Sequence, residues 1–451
     1  MKNKQIFLSI FLWTLTFIAN GQDTATYKLR LSLPLFDLPQ NYSLPNRGPS
    51  MQQSLELSND FYELSFWGID ALGDKLFIPK NKKYTKGRKI SNAIFKYGLG
   101  LGFSQYGSEL PIPLGVWGHE EFHRSVLGVD NISSKNGNWI LNRWDGTVYG
   151  ISDYSLTNEK NQNINNLLYS YLAGVQYEIA LNQKITLNDF YKNRTLNKNA
   201  LLLYNAYYTY NYFKFSTSSI SDSVKVLAPP HESKNPIERD FAGADLTAWV
   251  YDMFNPSTAF TSRDSFPGGD GVNRRIGFSD LSSEGQSYLK KQKDLSLLNF
   301  INPAIFFINK IKLNNNFSFN LFTQYSPTHF GNDIAVFVPV KYKKFDLLLN
   351  IHNYSNKTAS GFGIGTGLYN YILSEKLETD ITLNFWNQPK SFYDNAKIIG
   401  GQISLTTKYY FKNNLSGFVN LIGKTKGWII SNPYLKDNVT VQFGLNYNLK
   451  K

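Results

Sequence analysis

The segment from Gly118 to Arg124 contains the residue types best suited to chemistry in this chain of 451 residues. It reads Gly-His-Glu-Glu-Phe-His-Arg, so that His119 and His123 stand four positions apart with Glu120 directly after the first histidine. On a helix, residues i and i+4 share one face, and both imidazoles can then reach the same metal ion. Glu120 would stand beside the open position of that ion, where its carboxylate can take a proton from water.

The surrounding sequence favours a helix over Leu114–Leu127. Pro111 and Pro113 precede this stretch, and Gly128 follows at a position that suits a C-terminal stop. The alternative is an amphipathic surface helix whose charged side chains are simply solvated.

A catalytic zinc site requires a third protein ligand, because such sites use three protein ligands and keep one position open for water. The remaining histidines fit poorly, since they lie beside two prolines or in the C-terminal part of the chain (His231, His329 and His352). Two carboxylates set among small apolar residues are the candidates, Glu178 and Asp245. We expect Glu178 to be the ligand and keep Asp245 as the alternative, since an unpaired buried charge is unfavourable. Either carboxylate could instead be paired with Arg239 or Lys184.

Over this helix the sequence resembles the zincin metallopeptidases. The resemblance implies that His119 and His123 bind zinc and that Glu120 acts as general base and general acid. Glu121 and Arg124 depart from the family, which usually keeps uncharged residues at these positions. The departure bears on peptidase activity more than on metal binding.

The third ligand determines which zincins the site is most similar to. With Glu178 the set resembles that of the gluzincins, whose third ligand is a glutamate on a later helix. With Asp245 it resembles that of site-2-type membrane proteases, whose further motifs and membrane helices are absent here.

From about residue 315 onward the dominant period of apolar residues is two, which is typical of strands. About eight such sets occur, at 317–323, 334–342, 345–351, 362–368, 381–385, 403–411, 415–421 and 439–449. Together with 29 Tyr and 33 Phe, they predict an antiparallel transmembrane β-barrel of eight or more strands. A soluble β-sandwich is the alternative. Glycine alternates from Gly361 to Gly367 and would make room inside a narrow lumen.

The middle of the chain has helical periodicity at 163–182, 199–215 and 237–254, whereas 261–293 reads as a linker. Tyr27–Leu35 and Tyr97–Tyr106 also alternate and could add strands. The predicted fold class is therefore α+β, with a helical domain and a C-terminal barrel. The predicted boundaries are a signal peptide at 1–21, an N-terminal segment at 22–110, the helical domain at 111–260, a linker at 261–314 and the barrel at 315–451.

The first residues predict export. Lys2 and Lys4 precede an apolar run from Ile6 to Ile18, and small residues follow at Ala19 and Gly21, as in a cleavable signal peptide. Cysteine is absent, which excludes disulfides, a lipoprotein anchor and thiolate metal sites. The net charge of +13 favours contact with membrane lipid rather than nucleic acid, since there is no dense basic run. We expect the protein in the outer membrane of a Gram-negative-type cell envelope.

Two functions are compatible with these features. The first is a zinc-dependent hydrolase, attached to or plugged into an outer-membrane barrel, that acts on a peptide or a lipid. The second is a barrel without enzymatic activity, serving as a pore, a receptor or an envelope scaffold, in which the two histidines are structural.

Overall fold

The computed structural model describes residues 28–43, 48–78, 84–110, 112–137, 147–192, 198–412 and 414–450. The predicted signal peptide at 1–21 lies outside these residues. Within them, the chain combines helices with one large antiparallel sheet, and the predicted α+β class is confirmed.

The described residues form eight helices besides a single helical turn at Gln40–Ser43. These helices are α1 (Met51–Phe77), α2 (Lys86–Tyr106), α3 (Gly115–Val129), α4 (Asp153–Tyr191), α5 (Lys198–Ser216), α6 (Ser219–Leu227), α7 (Asp245–Phe254) and α8 (Ser283–Ser296). None of them is both long enough and apolar enough to cross a bilayer.

The strands follow the helices, apart from β1 and a small pair. They are β1 (Lys28–Leu38), β2 (Lys135–Asn136), β3 (Val148–Tyr149), β4 (Ile311–Asn314), β5 (Phe317–Phe319), β6 (Phe322–Thr328), β7 (Gly331–Tyr342), β8 (Phe345–Ser355), β9 (Ser360–Ser374), β10 (Leu377–Pro389), β11 (Lys397–Lys412), β12 (Leu415–Lys424) and β13 (Asn438–Lys450). The eight strand sets expected from the sequence all fall within the span of β5 to β13.

Eleven of the described strands form one sheet in the order β1-β13-β12-β11-β10-β9-β8-β7-β5-β4, with β6 also paired to β7. Strand β1 confirms the expectation that Tyr27–Leu35 adds a strand. The outermost strands of this order, β1 and β4, do not pair with each other. The sheet is therefore not closed into the predicted barrel, and it has more strands than the eight counted in the sequence.

Segments from outside the sheet bond to β1 and to β6, whereas the outermost strand β4 is exposed along its whole length. At β1, the backbone N–H of Ser32 donates to the carboxylate of Asp60 in α1 at 2.7 Å. At β6, the backbone N–H of Thr323 donates to the carbonyl of Ile301 at 2.9 Å. Edge groups that are paired in this way no longer require a neighbouring strand.

The sheet carries apolar side chains on its outer face. Directly opposed residues of neighbouring strands share a face, so the register defines rows of side chains. One outward row crosses eight strands and contains Val340, Leu347, Leu368, Ile381, Leu405, Leu421, Val441 and Leu38.

The inner face of the sheet is largely polar. One inward row contains Phe337, Asn350, Gly365, Asn384, Gln402 and Lys424. A chain of side-chain hydrogen bonds crosses this face from Ser404 to Asn420 (2.9 Å), from Asn420 to Gln442 (2.9 Å) and from Gln442 to Asp37 (3.2 Å). The glycine at 365 makes room here, because a Cβ would lie 2.1 Å from Oδ1 of Asn384.

Helix α4 packs against this inner face with its C-terminal half. Leu187 contacts the cluster that contains Phe337 and Leu348, and the hydroxyl of Tyr191 donates to the carbonyl of Leu347 at 2.5 Å. Residues of β1 and of β7 line one cavity of about 330 Å³ together with α4. The sheet therefore curls around this helix.

The helix predictions were confirmed for 163–182 and 199–215, which lie in α4 and α5. The helix predicted at 237–254 begins only at Asp245, because a turn at Asp240 precedes it. Two other expectations were wrong. Tyr97–Tyr106 belongs to α2, which starts at the N-cap Thr85, so its short alternation does not reflect a strand. The predicted linker 261–293 contains most of α8 and two buried arginines, Arg263 and Arg274, which form ion pairs with Asp252 and Asp153.

Candidate metal centre

The motif lies on α3, which packs closely against α4. A Cβ on Gly118 would lie 2.4 Å from the ring of Tyr177 in α4, so this position admits only glycine without rearrangement. A Cβ on Gly174 would lie 2.2 Å from Nε2 of His119 and 2.3 Å from Nε2 of His123. The two glycines allow the helix backbones to approach, and both imidazoles then lie directly against α4.

Three side chains from two helices converge at this point. His119 Nε2 and His123 Nε2 each lie 3.4 Å from the same oxygen, Oδ2 of Asp245. All three residues are buried, with 4%, 1% and 8% of their surface exposed respectively. Among the described residues this is the group of histidine and acidic side chains whose ligand atoms, all within 4.8 Å of one another, could hold a metal ion.

The second nitrogen of each imidazole is held by a different acceptor of α4. His119 Nδ1 lies 3.1 Å from Oε1 of Glu178, and His123 Nδ1 lies 2.5 Å from the carbonyl of Ser170. Ser170, Gly174 and Glu178 are spaced by four residues and therefore lie on one face of the helix. With both Nδ1 atoms bound to acceptors, both Nε2 atoms face the shared point.

Asp245 approaches the histidines from the first turn of α7. The positive end of the helix dipole stabilises a carboxylate at this position. Asp245 follows a turn in which the Asp240 carboxylate accepts hydrogen bonds from the N–H groups of Ala242 and Gly243, at 3.3 and 3.1 Å. Gly243 has φ +74°, which suits glycine, and its carbonyl accepts from Arg275 at 2.7 Å.

A buried ion cluster fixes the orientation of α7. Asp252, two turns after Asp245 on the same side of α7, accepts from Lys160 at 2.9 Å, Arg263 at 2.8 Å and Tyr171 at 3.0 Å. A carboxylate with this many partners holds α7 against α4.

Glu120 lies beside the three converging side chains. It is 5% exposed, and its carboxylate makes no hydrogen bond in the part of the chain that the structure describes. Burial raises the pKa of Glu120 to about 7, although His119 and His123 act in the opposite direction. Such a group is poised to accept a proton near neutral pH.

The charges of the other site residues are coupled. Burial lowers the pKa of His119, but Glu178 and Asp245 raise it, and the pKa lies well above its ordinary value. Burial raises the pKa of Asp245, but His123 and His119 outweigh it and the pKa lies below its ordinary range. The neighbouring carboxylates therefore favour the protonated form of His119.

The donor set and its spacing fit a metal ion. Charge-assisted hydrogen bonds are usually about 2.7–2.9 Å long, so two contacts of 3.4 Å to one carboxylate oxygen are long for such bonds. Two ligands of a tetrahedral zinc site, each about 2.0–2.1 Å from the ion, would be separated by about 3.3–3.4 Å.

The two candidate third ligands occupy different places. Asp245 belongs to the converging group, whereas Glu178 contacts the other nitrogen of His119. Neither is paired with the cations considered from the sequence: Lys184 bonds Glu56 at 2.6 Å, and Arg239 donates to the carbonyl of Asp270.

The charged residues that depart from the zincin pattern pair with each other. Arg124 donates to both oxygens of Glu121 at 2.7 and 2.6 Å, and Asn136 donates to Glu121 at 2.9 Å. Glu121 is buried, as are His119, Glu120, Phe122 and His123, so the motif helix is buried rather than solvated.

The remaining histidines lie elsewhere. His231 ends a short turn after two prolines, and His329 is buried between β6 and β7. His352 on β8 contacts Asp333 at 2.9 Å.

Neither the models of known protein families nor the curated proteins contain a match to this chain.

Sequence reasoning missed Gly174, Ser170, Tyr212 and Asp240. An isolated glycine inside a helical pattern is unfavourable unless packing requires it, so Gly174 carried a detectable signal. The Ser170 carbonyl and the Tyr212 hydroxyl gave no signal in the sequence. A backbone group is present at every residue, and tyrosine is common in this chain.

Proposed function

We propose that this protein is a zinc-dependent hydrolase of the cell envelope, most compatible with a peptidase. The observation that carries the proposal is the convergence of His119 Nε2, His123 Nε2 and Asp245 Oδ2 on one buried point beside Glu120. Two imidazole nitrogens and one carboxylate oxygen are ligands that zinc accepts, and three protein ligands leave a position open for water.

The residues around this point would have different roles in the reaction. A zinc ion bound there would polarise a carbonyl group and make water more acidic. Glu120 would accept the proton of that water and pass it to the leaving group. Glu178 and the Ser170 carbonyl would hold the two imidazoles by their Nδ1 atoms, as acceptors around metal-bound histidines commonly do.

The substrate proposed first is a peptide, and a lipid ester or amide is the alternative. Both contain a carbonyl that the same chemistry attacks. The resemblance to zincins supports the peptide, whereas the apolar outer face of the sheet supports a substrate that partitions into a membrane.

We also propose that the sheet lies in the outer membrane. Its outer face is apolar over eight neighbouring strands, and its inner face carries a hydrogen-bonded chain of amides. This distribution is that of a membrane-embedded sheet with a polar interior.

Helix α1, which lies beside β1, supports this placement. Its outward side chains include Leu64, Trp67, Leu72 and Leu76, which are 38–60% exposed. Exposed apolar residues of this size on a helix beside β1 extend the apolar outer surface of the sheet.

Metal analysis tests the site. The purified protein should contain one zinc per chain, and His119→Ala or His123→Ala should remove most of it, because each takes away one of three protein ligands. A folded wild-type sample that binds no metal would favour the non-enzymatic alternative.

Kinetics with a fluorogenic peptide library test the reaction. Glu120→Gln keeps the shape of the side chain and removes the base, so zinc should remain while hydrolysis is lost. Glu121→Gln is the matched control, because that carboxylate faces Arg124 instead of the metal point. If Glu120→Gln cleaves a substrate at the wild-type rate, the proposal is wrong.

A further inference from the structure

We infer that the metal site faces the outside of the cell, so that its substrate is extracellular or lies in the outer leaflet. The inference rests on the proposed membrane insertion and concerns its direction, which the site chemistry does not determine. Three features of the sheet carry it: the lengths of its connections, the position of the helical insertion and the level of the metal site.

The connections between strands differ at the two ends of the sheet. At one end, here called the short end, each connection consists of two residues, at 315–316, 343–344, 375–376 and 413–414. At the other end, the long end, the connections between β8 and β9, β10 and β11, and β12 and β13 span 356–359, 390–396 and 425–437. Only the turn at 329–330 is short at the long end.

The helical part of the chain enters at the long end. Strand β1 ends at Leu38, which pairs near Val441 at the beginning of β13, beside the connection 425–437. All of α1 to α8 follow this point, before β4. The helical part thus leaves the sheet on the side of its long connections, and it returns at β4, whose Ile311 pairs with Phe319 nearer the short end.

The contacts of helix α4 show where the metal site lies between the long end and the short end of the sheet. Tyr169 donates to the carbonyl of Asn432 at 2.8 Å, and Gln176 donates to the carbonyl of Pro327 at 2.7 Å, so this part of α4 lies at the long end. Gly174, which touches both histidines, lies between them in sequence. Tyr191, which contacts Leu347 near the short end, is 17 residues further on. At 1.5 Å per residue that distance is about 25 Å, the height of the apolar band of an outer-membrane sheet.

Outer-membrane strands are joined by short turns on the periplasmic side and by longer loops on the extracellular side. The short end should therefore face the periplasm, and the metal site, on the opposite boundary, should face outward. A substrate would then reach it without crossing the outer membrane, and periplasmic proteins would not be its targets.

Single cysteines test the direction, because the native chain has none. Asn395→Cys and Lys436→Cys lie in exposed long connections, and Lys344→Cys and Lys376→Cys lie in exposed short ones. Each variant is expressed in a Gram-negative host and treated with a membrane-impermeant maleimide polymer, before and after permeabilisation of the outer membrane. The expected result is labelling of the first two in intact cells and of the second two only after permeabilisation.

Other outcomes overturn the inference. The reverse pattern would show insertion in the opposite direction. Labelling of all four variants in intact cells would show a surface-bound protein, and labelling of all four only after permeabilisation would show a periplasmic one. Zinc content, measured on the same preparations, separates this failure from that of the hydrolase proposal: the expected labelling without bound zinc would remove only the latter.

Discussion

Tyr212 and Asp245 are joined by two hydrogen bonds that run in opposite directions. The Tyr212 hydroxyl donates to Oδ2 of Asp245 at 2.8 Å and accepts from the Asp245 backbone N–H at 3.2 Å. The same Oδ2 faces both histidines. Helix α5 therefore orients the oxygen on which the proposed zinc site depends.

Replacing Tyr212 by Phe should weaken zinc binding without abolishing it. Loss of a partner that orients a ligand usually lowers metal affinity by about 10–100-fold. Competition for zinc against a chelator of known affinity measures the change.

Tyr208→Phe is the matched control, because Tyr208 lies one turn earlier on α5. Its ring centroid is 6.2 Å from that of His119, and its hydroxyl bonds none of the converging residues that the structure describes. Its zinc affinity should stay close to wild type, and an equal loss in both variants would contradict the role given to Tyr212.

Variants of Glu178 and of Asp245 should differ in the amount of zinc that they retain. Asp245→Ala removes a ligand and should empty the site, whereas Glu178→Gln keeps an acceptor oxygen for His119 Nδ1 but removes its charge, and should weaken binding by about 10–100-fold. Zinc per chain after dialysis against buffers of graded free zinc distinguishes the two. If Glu178→Gln empties the site and Asp245→Ala retains zinc, the assignment must be reversed.

Gly174→Ala should abolish zinc binding, because the new methyl group would lie 2.2–2.3 Å from both Nε2 atoms and push the imidazoles apart. Gly98→Ala on α2 is the control, since a Cβ there meets nothing within 4 Å. It should retain zinc and stabilise the protein by about 0.5–1 kcal/mol, the usual gain in a helix. Metal content and thermal unfolding of the two variants measure both effects, and zinc binding by Gly174→Ala would contradict the site geometry.

Arginine on the outer face should destabilise the sheet according to depth. Leu405 lies mid-strand in the apolar row, and Leu405→Arg should cost about 2–4 kcal/mol in a bilayer. Phe411, near the short end of the same strand, should cost only about 0–1 kcal/mol when replaced by Arg. Unfolding in lipid vesicles, followed by heat-modifiable gel migration, measures both values, and equal small effects would indicate that this face is in water.

Glu159→Gln should stabilise the protein at alkaline pH. Burial raises the pKa of Glu159, and the nearby Asp130 raises it further, so the folded state holds a proton that the unfolded state releases. Stability therefore falls as the pH rises from the ordinary glutamate range towards the raised pKa. The variant cannot ionise, so its unfolding temperature should exceed that of wild type at pH 8 by on the order of a few degrees and by less at pH 5. The exposed Glu375→Gln should show no such difference.

Local pattern was sufficient for the strands and for two helices. The alternation from Val439 to Leu449 predicts which face of that strand is apolar. The glycines from Gly361 to Gly367 predict where the inner face of the sheet needs room. The structure confirms the strands and the inward glycines. The strand prediction from alternation was wrong at Tyr97–Tyr106. Ten residues that include several glycines also fit a helix, and this helix begins at an N-cap outside that stretch.

The sequence also predicted the motif at 119–123, because metal ligands on one helix must be spaced by the period of that helix. It predicted the two candidate carboxylates as well. Spacing says nothing about residues that approach from another element. The placement of Asp245 near both Nε2 atoms and of Glu178 at Nδ1 depends on Gly118 and Gly174, which set the distance between α3 and α4, and on the turn at Asp240 that aims α7. Likewise, strand patterns predict a sheet but not whether its edges meet. Here Asp60 of α1 bonds β1 and the carbonyl of Ile301 bonds β6, and such long-range hydrogen bonds form only when the whole chain packs.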